Sequence, residues 1–129
     1  MAITGIEIVS VPVADQDRAR NFYVDVLGLE LVRDAEMGPG MRWVQLGAPG
    51  GQGTSITLVT WFESMPAGSQ KGLVLETDDL DGDVERLRAA GLAFPEGIQE
   101  QPWGRFVTLH DPDGNGLVLQ ATRARRPRG

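Results

Sequence analysis

The sequence predicts an α+β fold of two tandem βαβββ modules, their strands forming a concave mixed sheet with the helices outside. Three observations carry this expectation: an internal repeat, two amphipathic helices that open and close alike, and short alternating strands around each helix. The repeat is visible by eye. "IVSVPVADQDRARNFYVDVLGLEL" in the first half is echoed by "GLVLETDDLDGDVERLRAAGLAF" in the second. Asp15 and Asp17 lie over Asp79 and Asp81, and Gly28-Leu29 over Gly91-Leu92. Self-similarity at a fixed offset marks a duplicated structural unit.

Each helix follows from its residues. Ala19, Phe22, Tyr23, Val26 and Leu27 recur at helical spacing, as do Leu80, Val84 and Leu87. Asp15 suits an N-cap, Asp17 and Asp79 add favourable charge to their first turns, and Gly28 and Gly91 suit left-handed C-terminal caps. A strand precedes each helix, at Ile6–Val13 and Gly72–Thr77. Further strands are expected at Leu29–Arg33, Arg42–Leu46 and Ser55–Trp61, then at Phe106–His110 and Leu117–Ala121. "GAPGGQGT" lacks the lysine of a phosphate-binding loop and reads as a flexible connection. The expected organisation is a single domain, with modules over residues 4–62 and 70–122, a linker over 63–69 and a flexible basic tail over 123–129. Neither small sheet can bury its faces alone, so the two are expected to pair.

Composition narrows the function classes. The 129 residues suit one domain. No apolar run is long enough to cross a bilayer, and "MAITGIEIVSVPV" has no signal-peptide pattern, so a cytoplasmic protein without a membrane partner is expected. The absence of cysteine removes disulfides and thiolate chemistry. The net charge of −6 hides an asymmetry: Arg123, Arg125, Arg126 and Arg128 sit in the tail, leaving 8 basic against 18 acidic residues in 1–122. Such a body repels nucleic-acid phosphates and favours cationic or neutral ligands.

"VPVADQDRARNFYVDVLGLEL", "LETDDLDGDVERLRAAGLAF" and "PWGRFVTLHDPDGNGLVLQ" together resemble the vicinal oxygen chelate superfamily of glyoxalases, bleomycin-resistance proteins and extradiol dioxygenases. The resemblance spans roughly residues 4 to 121. It implies paired βαβββ modules around a cleft, commonly completed in a homodimer, with a divalent metal on His, Glu or Gln ligands in the enzymes. The matching positions here are Ile8, Gly72, Thr57 and Val118, and none supplies such a ligand. Glu7 adjoins Ile8, but strand alternation turns it to the opposite face. No metal or other cofactor is therefore expected, and glyoxalase or dioxygenase chemistry of the metal-dependent kind is disfavoured.

His110 is the only histidine, and it reads as a strand-end residue before a turn. Asp111, Asp113, Asn115 and Gly116 imitate the start of a calcium loop, but its twelfth position is Thr122 rather than glutamate. The stretch is better explained as a turn set by Pro112, with Gly114 and Asn115 tolerant of positive φ and Asp111 bonding backbone amides. Glu76 shares the inward parity of Gly72 near its strand end, where partial burial would suit it to hold a cation or act as a base; a solvated or Arg-paired strand-end glutamate is the first reading. With His110 and Arg105 it forms the only catalytic candidate set.

The remaining expectation is an apolar, aromatic-rimmed pocket. Strand parity assigns Ile8, Ser10, Thr57, Val59, Trp61, Val118 and Gln120 to its lining, with Met41, Trp43 and Trp103 at its rim beside Met37. Such walls stack on a planar or cationic organic compound. A metal-free protein that sequesters such a compound in a homodimer is the first expectation. A lyase, isomerase or dioxygenase-like enzyme with a non-standard site is the second, and an interaction module with a vestigial cleft the third.

Overall fold

A computed structural model describes residues 2–122; the basic tail over 123–129 lies outside the described residues. The chain forms β1 (Ile8–Pro12), α1 (Gln16–Asn21), β2 (Glu30–Gly38), β3 (Met41–Gly47) and β4 (Ser55–Val59) in its first half. The second half forms β5 (Leu73–Glu76), α2 (Leu80–Ala89), β6 (Gln99–Gln101), β7 (Gly104–His110) and β8 (Gly116–Thr122). Two βαβββ modules are therefore present, each with its own four-stranded mixed sheet, in the orders β1-β4-β3-β2 and β5-β8-β7-β6. In each sheet the first strand runs parallel to the last, and the other pairings are antiparallel.

The chain divides into two compact units. Among the described residues, one runs through Gln70 and also takes in Asp111–Asn115; the other takes Lys71–His110 and residues 116–122. In the first unit, Val11, Val44, Leu46 and Leu58 are buried on the sheet face that meets α1, together with Ala19 and Tyr23 of the helix. Arg42 on that face reaches Asp34 at 2.7 Å and Asp17 of α1 at 2.9 Å, and Arg20 of α1 reaches Asp34 at 3.1 Å. In the second unit, Leu80, Val84 and Leu87 of α2 are buried, as are Val107, Leu109, Leu117 and Leu119 of the sheet.

Local signals act as their chemistry demands. Asp15 caps α1 by accepting from the backbone N–H of Asp17 and Arg18. Asp79 does the same for α2 through Gly82, so it is the cap itself and Asp81 occupies the first turn. Gly28 and Gly91 take φ of 90° and 100° at the helix ends. After Asn21 the first helix widens into a π-helical turn, Phe22–Val26, closed by the Leu27 N–H donating to the Phe22 carbonyl.

Several expected boundaries shift. β2 extends five residues beyond Arg33, because hydrogen bonding to β3 continues through its polar half. β4 stops at Val59, so alternation does not carry to Trp61, which sits in the following loop beside Phe62 with ring centroids 6.0 Å apart. β6 is an additional edge strand of three polar residues with no apolar alternation to announce it. In the turn before β8 only Gly114 has positive φ; Asn115 does not.

Candidate functional site

Within the first unit, the sheet face away from α1 is set by register. Ser10 pairs with Thr57, Thr57 with Gln45, and Trp43 with Ala35. Ile8, Ser10, Thr57 and Val59 thus share one face, as their parity predicts, and the register adds Met41 and Trp43 of β3 to it. Thr57 and Val59 are buried, whereas Ile8, Ser10 and Trp43 are half-buried and Met41 is exposed. The Ser10 and Thr57 hydroxyls lie 3.5 Å apart, and the Trp43 indole N–H donates to Gln45 Oε1 at 3.0 Å.

Within the second unit, the face away from α2 carries Val74, Glu76, Phe106, Thr108, His110, Val118 and Gln120. Trp103, in the two-residue hairpin between β6 and β7, stacks on Phe106 with centroids 5.6 Å apart and rings 17° from parallel. It remains 46% exposed, and Val74 on the same face is 49% exposed. A large aromatic left half in water, stacked on Phe106 of a sheet face that mixes apolar and polar side chains, presents a ready stacking surface.

The three catalytic candidates do not share a site. Arg105 alternates onto the α2 face, where its guanidinium grips both oxygens of Asp81 at 2.9 Å. That pairing raises the Arg105 pKa and holds the Asp81 carboxyl below its ordinary value. Glu76 is exposed at its strand end, and its carboxylate accepts from the Thr122 N–H at 2.7 Å and the Thr122 hydroxyl at 2.8 Å. Gln120 donates to that same hydroxyl at 2.9 Å. Glu76 is level with Gln120 and His110 with Gly116, so the two are four residues, roughly 13 Å, apart along the sheet.

His110 is exposed and borders a pocket of about 320 Å³ that is also lined by Leu92, Ala93, Pro95, Glu96, Thr108 and Leu109. Thr108 donates to Glu96 at 3.3 Å across it. Sequence reasoning missed Glu96 because "FPEG" reads only as a turn, and nothing local ties it to β7. It missed Gln45 because an amide between Val44 and Leu46 carries no motif.

The turn that imitates a calcium loop is structural. Asp111 and Asn115 are buried. Asp111 Oδ1 accepts from the Asp113 and Asn115 N–H groups, and Oδ2 accepts from the Tyr23 hydroxyl at 2.7 Å and Asn115 Nδ2 at 2.8 Å. A carboxylate holding that many donors has no lone pair left for a cation. Asn115 further donates to the Pro12 carbonyl at 2.8 Å, and Arg18 pairs with Asp113 at 3.1 Å.

The metal positions implied by the resemblance can be tested on this geometry. Ile8 and Val118 offer hydrocarbon, Gly72 offers no side chain, and the Thr57 hydroxyl is buried beside Ser10. Among the described residues no group of three or more His, Cys, Asp or Glu is gathered to hold a metal ion. These residues do not fit a divalent centre, which requires charged or imidazole donors to offset dehydration.

Residues 5–119 match the family model described as Glyoxalase/Bleomycin resistance protein/Dioxygenase superfamily. The chain belongs to that superfamily. Among superfamily structures it resembles is TnmS3, an antibiotic binding protein from Streptomyces sp. CB03234. That protein is 46% identical with a TM-score of 0.87, covering 95% of this chain and 98% of that one. A superfamily member from Sphaerobacter thermophilus DSM 20745 is 34% identical with a TM-score of 0.85, covering 94% and 99%. The Bacillus subtilis (strain 168) protein YetH is 33% identical, covering 92% of this chain and 98% of its own. No helix among the described residues is long and apolar enough to cross a membrane.

Proposed function

We propose that this superfamily member is a metal-free binding protein that sequesters a small planar organic compound on the helix-free faces of its sheets. The observation that carries this reading is the half-exposed Trp103 stacked on Phe106, on a face whose metal-ligand counterpart, Val118, is hydrocarbon. A planar ligand extends that stack and removes apolar area from water, each contact contributing about 0.5–1.5 kcal/mol beyond burial. Binding of this kind needs placed walls and a few polar groups, with no reacting centre. The 46% identity to an antibiotic binding protein supports the same reading.

The test is tryptophan fluorescence of the full chain against a panel of polycyclic aromatic compounds, repeated with Trp103→Phe and Trp43→Phe. Saturable quenching, weakened at least several-fold by one of the two substitutions, is expected. If neither alters any affinity found, the stacking surface is misassigned. Stoichiometric Zn, Ni, Mn or Fe in the purified protein, lost to EDTA together with a glyoxalase activity, would overturn the metal-free reading.

A further inference from the structure

One lateral row crosses all four strands of the first sheet on its helix-free face. Ser10 of β1 pairs with Thr57 of β4, Thr57 with Gln45 of β3, and Gln45 with Arg33 of β2. Arg33 reaches this face only because of a bulge. Leu31 pairs with Leu46 and Arg33 with Gln45, so Val32 is an extra residue. Regular alternation from Leu31 would turn Arg33 toward α1; the inserted residue reverses its parity.

Two members of the row carry donors that meet no acceptor among the described residues. Trp43 donates its indole N–H to Gln45 Oε1, which fixes which end of the amide is engaged. The NH2 of Gln45 is the half left over, and it has no acceptor among the described residues. Arg33 is exposed and forms no ion pair or hydrogen bond among the described residues. Arg18, Arg20, Arg42, Arg86 and Arg105 each hold an acid. Glu30, the acid nearest in register on this face, lies opposite Gly47 on the far side of the bulge and makes no ion pair with Arg33. The acids flanking Arg33 along the strand, Asp34 and Glu36, pair with Val44 and Arg42 on the α1 face. The row therefore offers an amide NH2 and a guanidinium, with a half-buried indole two residues along β3 and no carboxylate.

We infer that this row recognises an oxyanion, a carboxylate or phenolate, carried by a planar aromatic ligand whose ring lies against Trp43. The inference rests on the small-molecule reading above and names the ligand class of that reading. It runs opposite to the preference for cations that the net charge of −6 suggests. Net charge acts over distances that salt screens, whereas Gln45 and Arg33 act at hydrogen-bond range, where a guanidinium meets a carboxylate with paired donors.

Isothermal titration calorimetry of the full chain with three probes of one ring tests it: 2-naphthoate, naphthalene-2-methanol and 2-naphthylmethylammonium. Naphthoate is expected to bind tightest. Arg33→Gln is expected to weaken naphthoate about tenfold while leaving naphthalene-2-methanol and the thermal unfolding midpoint unchanged. Gln45→Glu is expected to abolish the preference for naphthoate over the ammonium probe. Tightest binding of the ammonium probe to the unsubstituted protein, or naphthoate affinity indifferent to both substitutions, overturns the assignment and leaves the small-molecule reading standing. Failure of all three probes to bind at millimolar concentration overturns both.

Discussion

Removing the Tyr23 hydroxyl tests the idea that the "DPDGN" turn is held by a buried hydrogen-bond network rather than shaped for a cation. Tyr23 is fully buried and donates to Asp111 Oδ2 at 2.7 Å, the same oxygen that accepts from Asn115 Nδ2. In Tyr23→Phe the ring packing survives, and the carboxylate loses one of its donors. A hydrogen bond to a charged group contributes about 1.5–3 kcal/mol, and the remaining donors place this loss near the lower end, about 2 kcal/mol. For 129 residues that corresponds to a fall in Tm of roughly 6–8 °C.

The same substitution has a pH signature. Burial first, and then the Asp111 carboxylate, push the Tyr23 pKa well above its ordinary 10.0. In the unfolded chain the phenol ionises near that ordinary value while the folded protein keeps the proton. Stability from this difference is therefore fully present below pH 10 and falls as pH rises above it, by about 1.4 kcal/mol per pH unit. Tyr23→Phe lacks this alkaline limb. The advantage of about 2 kcal/mol at pH 8 should thus vanish by about pH 11.5. Urea unfolding at both pH values, with unchanged m-values, measures it. A pH 8 difference under about 0.5 kcal/mol, the ordinary size of a surface change, or a difference that persists unchanged to pH 11.5, refutes the network.

Two further perturbations follow from particular contacts. A Cβ on Gly104 would lie 2.4 Å from the Ala121 carbonyl oxygen and 3.0 Å from Thr122 Cα, both in the paired backbone of β8. Gly104→Ala should therefore cost about 2–3 kcal/mol by forcing these strands apart. Loss of hydrogen-exchange protection in β7 and β8 would report it, and wild-type protection would contradict the close approach. Hydrogen bonding to Arg42, aided by Arg20, holds the Asp34 carboxyl below its ordinary 3.8. Its contribution to stability is present above about pH 4 and is lost as pH falls through the lowered value. Arg42→Ala should flatten that acid limb in urea melts between pH 2 and 5; an unaltered limb would show that the pairing does not act on folding.

Much of the fold was legible because its signals are local. Asp15, Gly28 and Gly91 act through neighbours within a turn, and alternation in "IVSVP" and "SITLV" sorts side chains between faces whatever lies beyond. Ile8, Ser10, Thr57 and Val59, expected from parity to line one face, share it for the same reason. Where partners decide, the sequence was silent. β6 has no apolar pattern, and only its ladder to β7 makes it a strand. Trp61 follows β4 in sequence but lies past its last ladder bond.

By itself the sequence determined the duplicated α+β plan, the two helix faces and the absence of imidazole and carboxylate donors from the family's ligand positions. Those properties depend on residue type and spacing alone. Tertiary structure decided which polar groups are spent and which remain to bind. Asp111 and Asn115 are bound to Tyr23 and Pro12, close to a hundred positions away in the chain, and Arg105 is bound to Asp81. A one-residue bulge at Val32 leaves Arg33 beside the amide of Gln45. A hydrogen bond needs its partner within about 3 Å, and only the folded chain sets that distance.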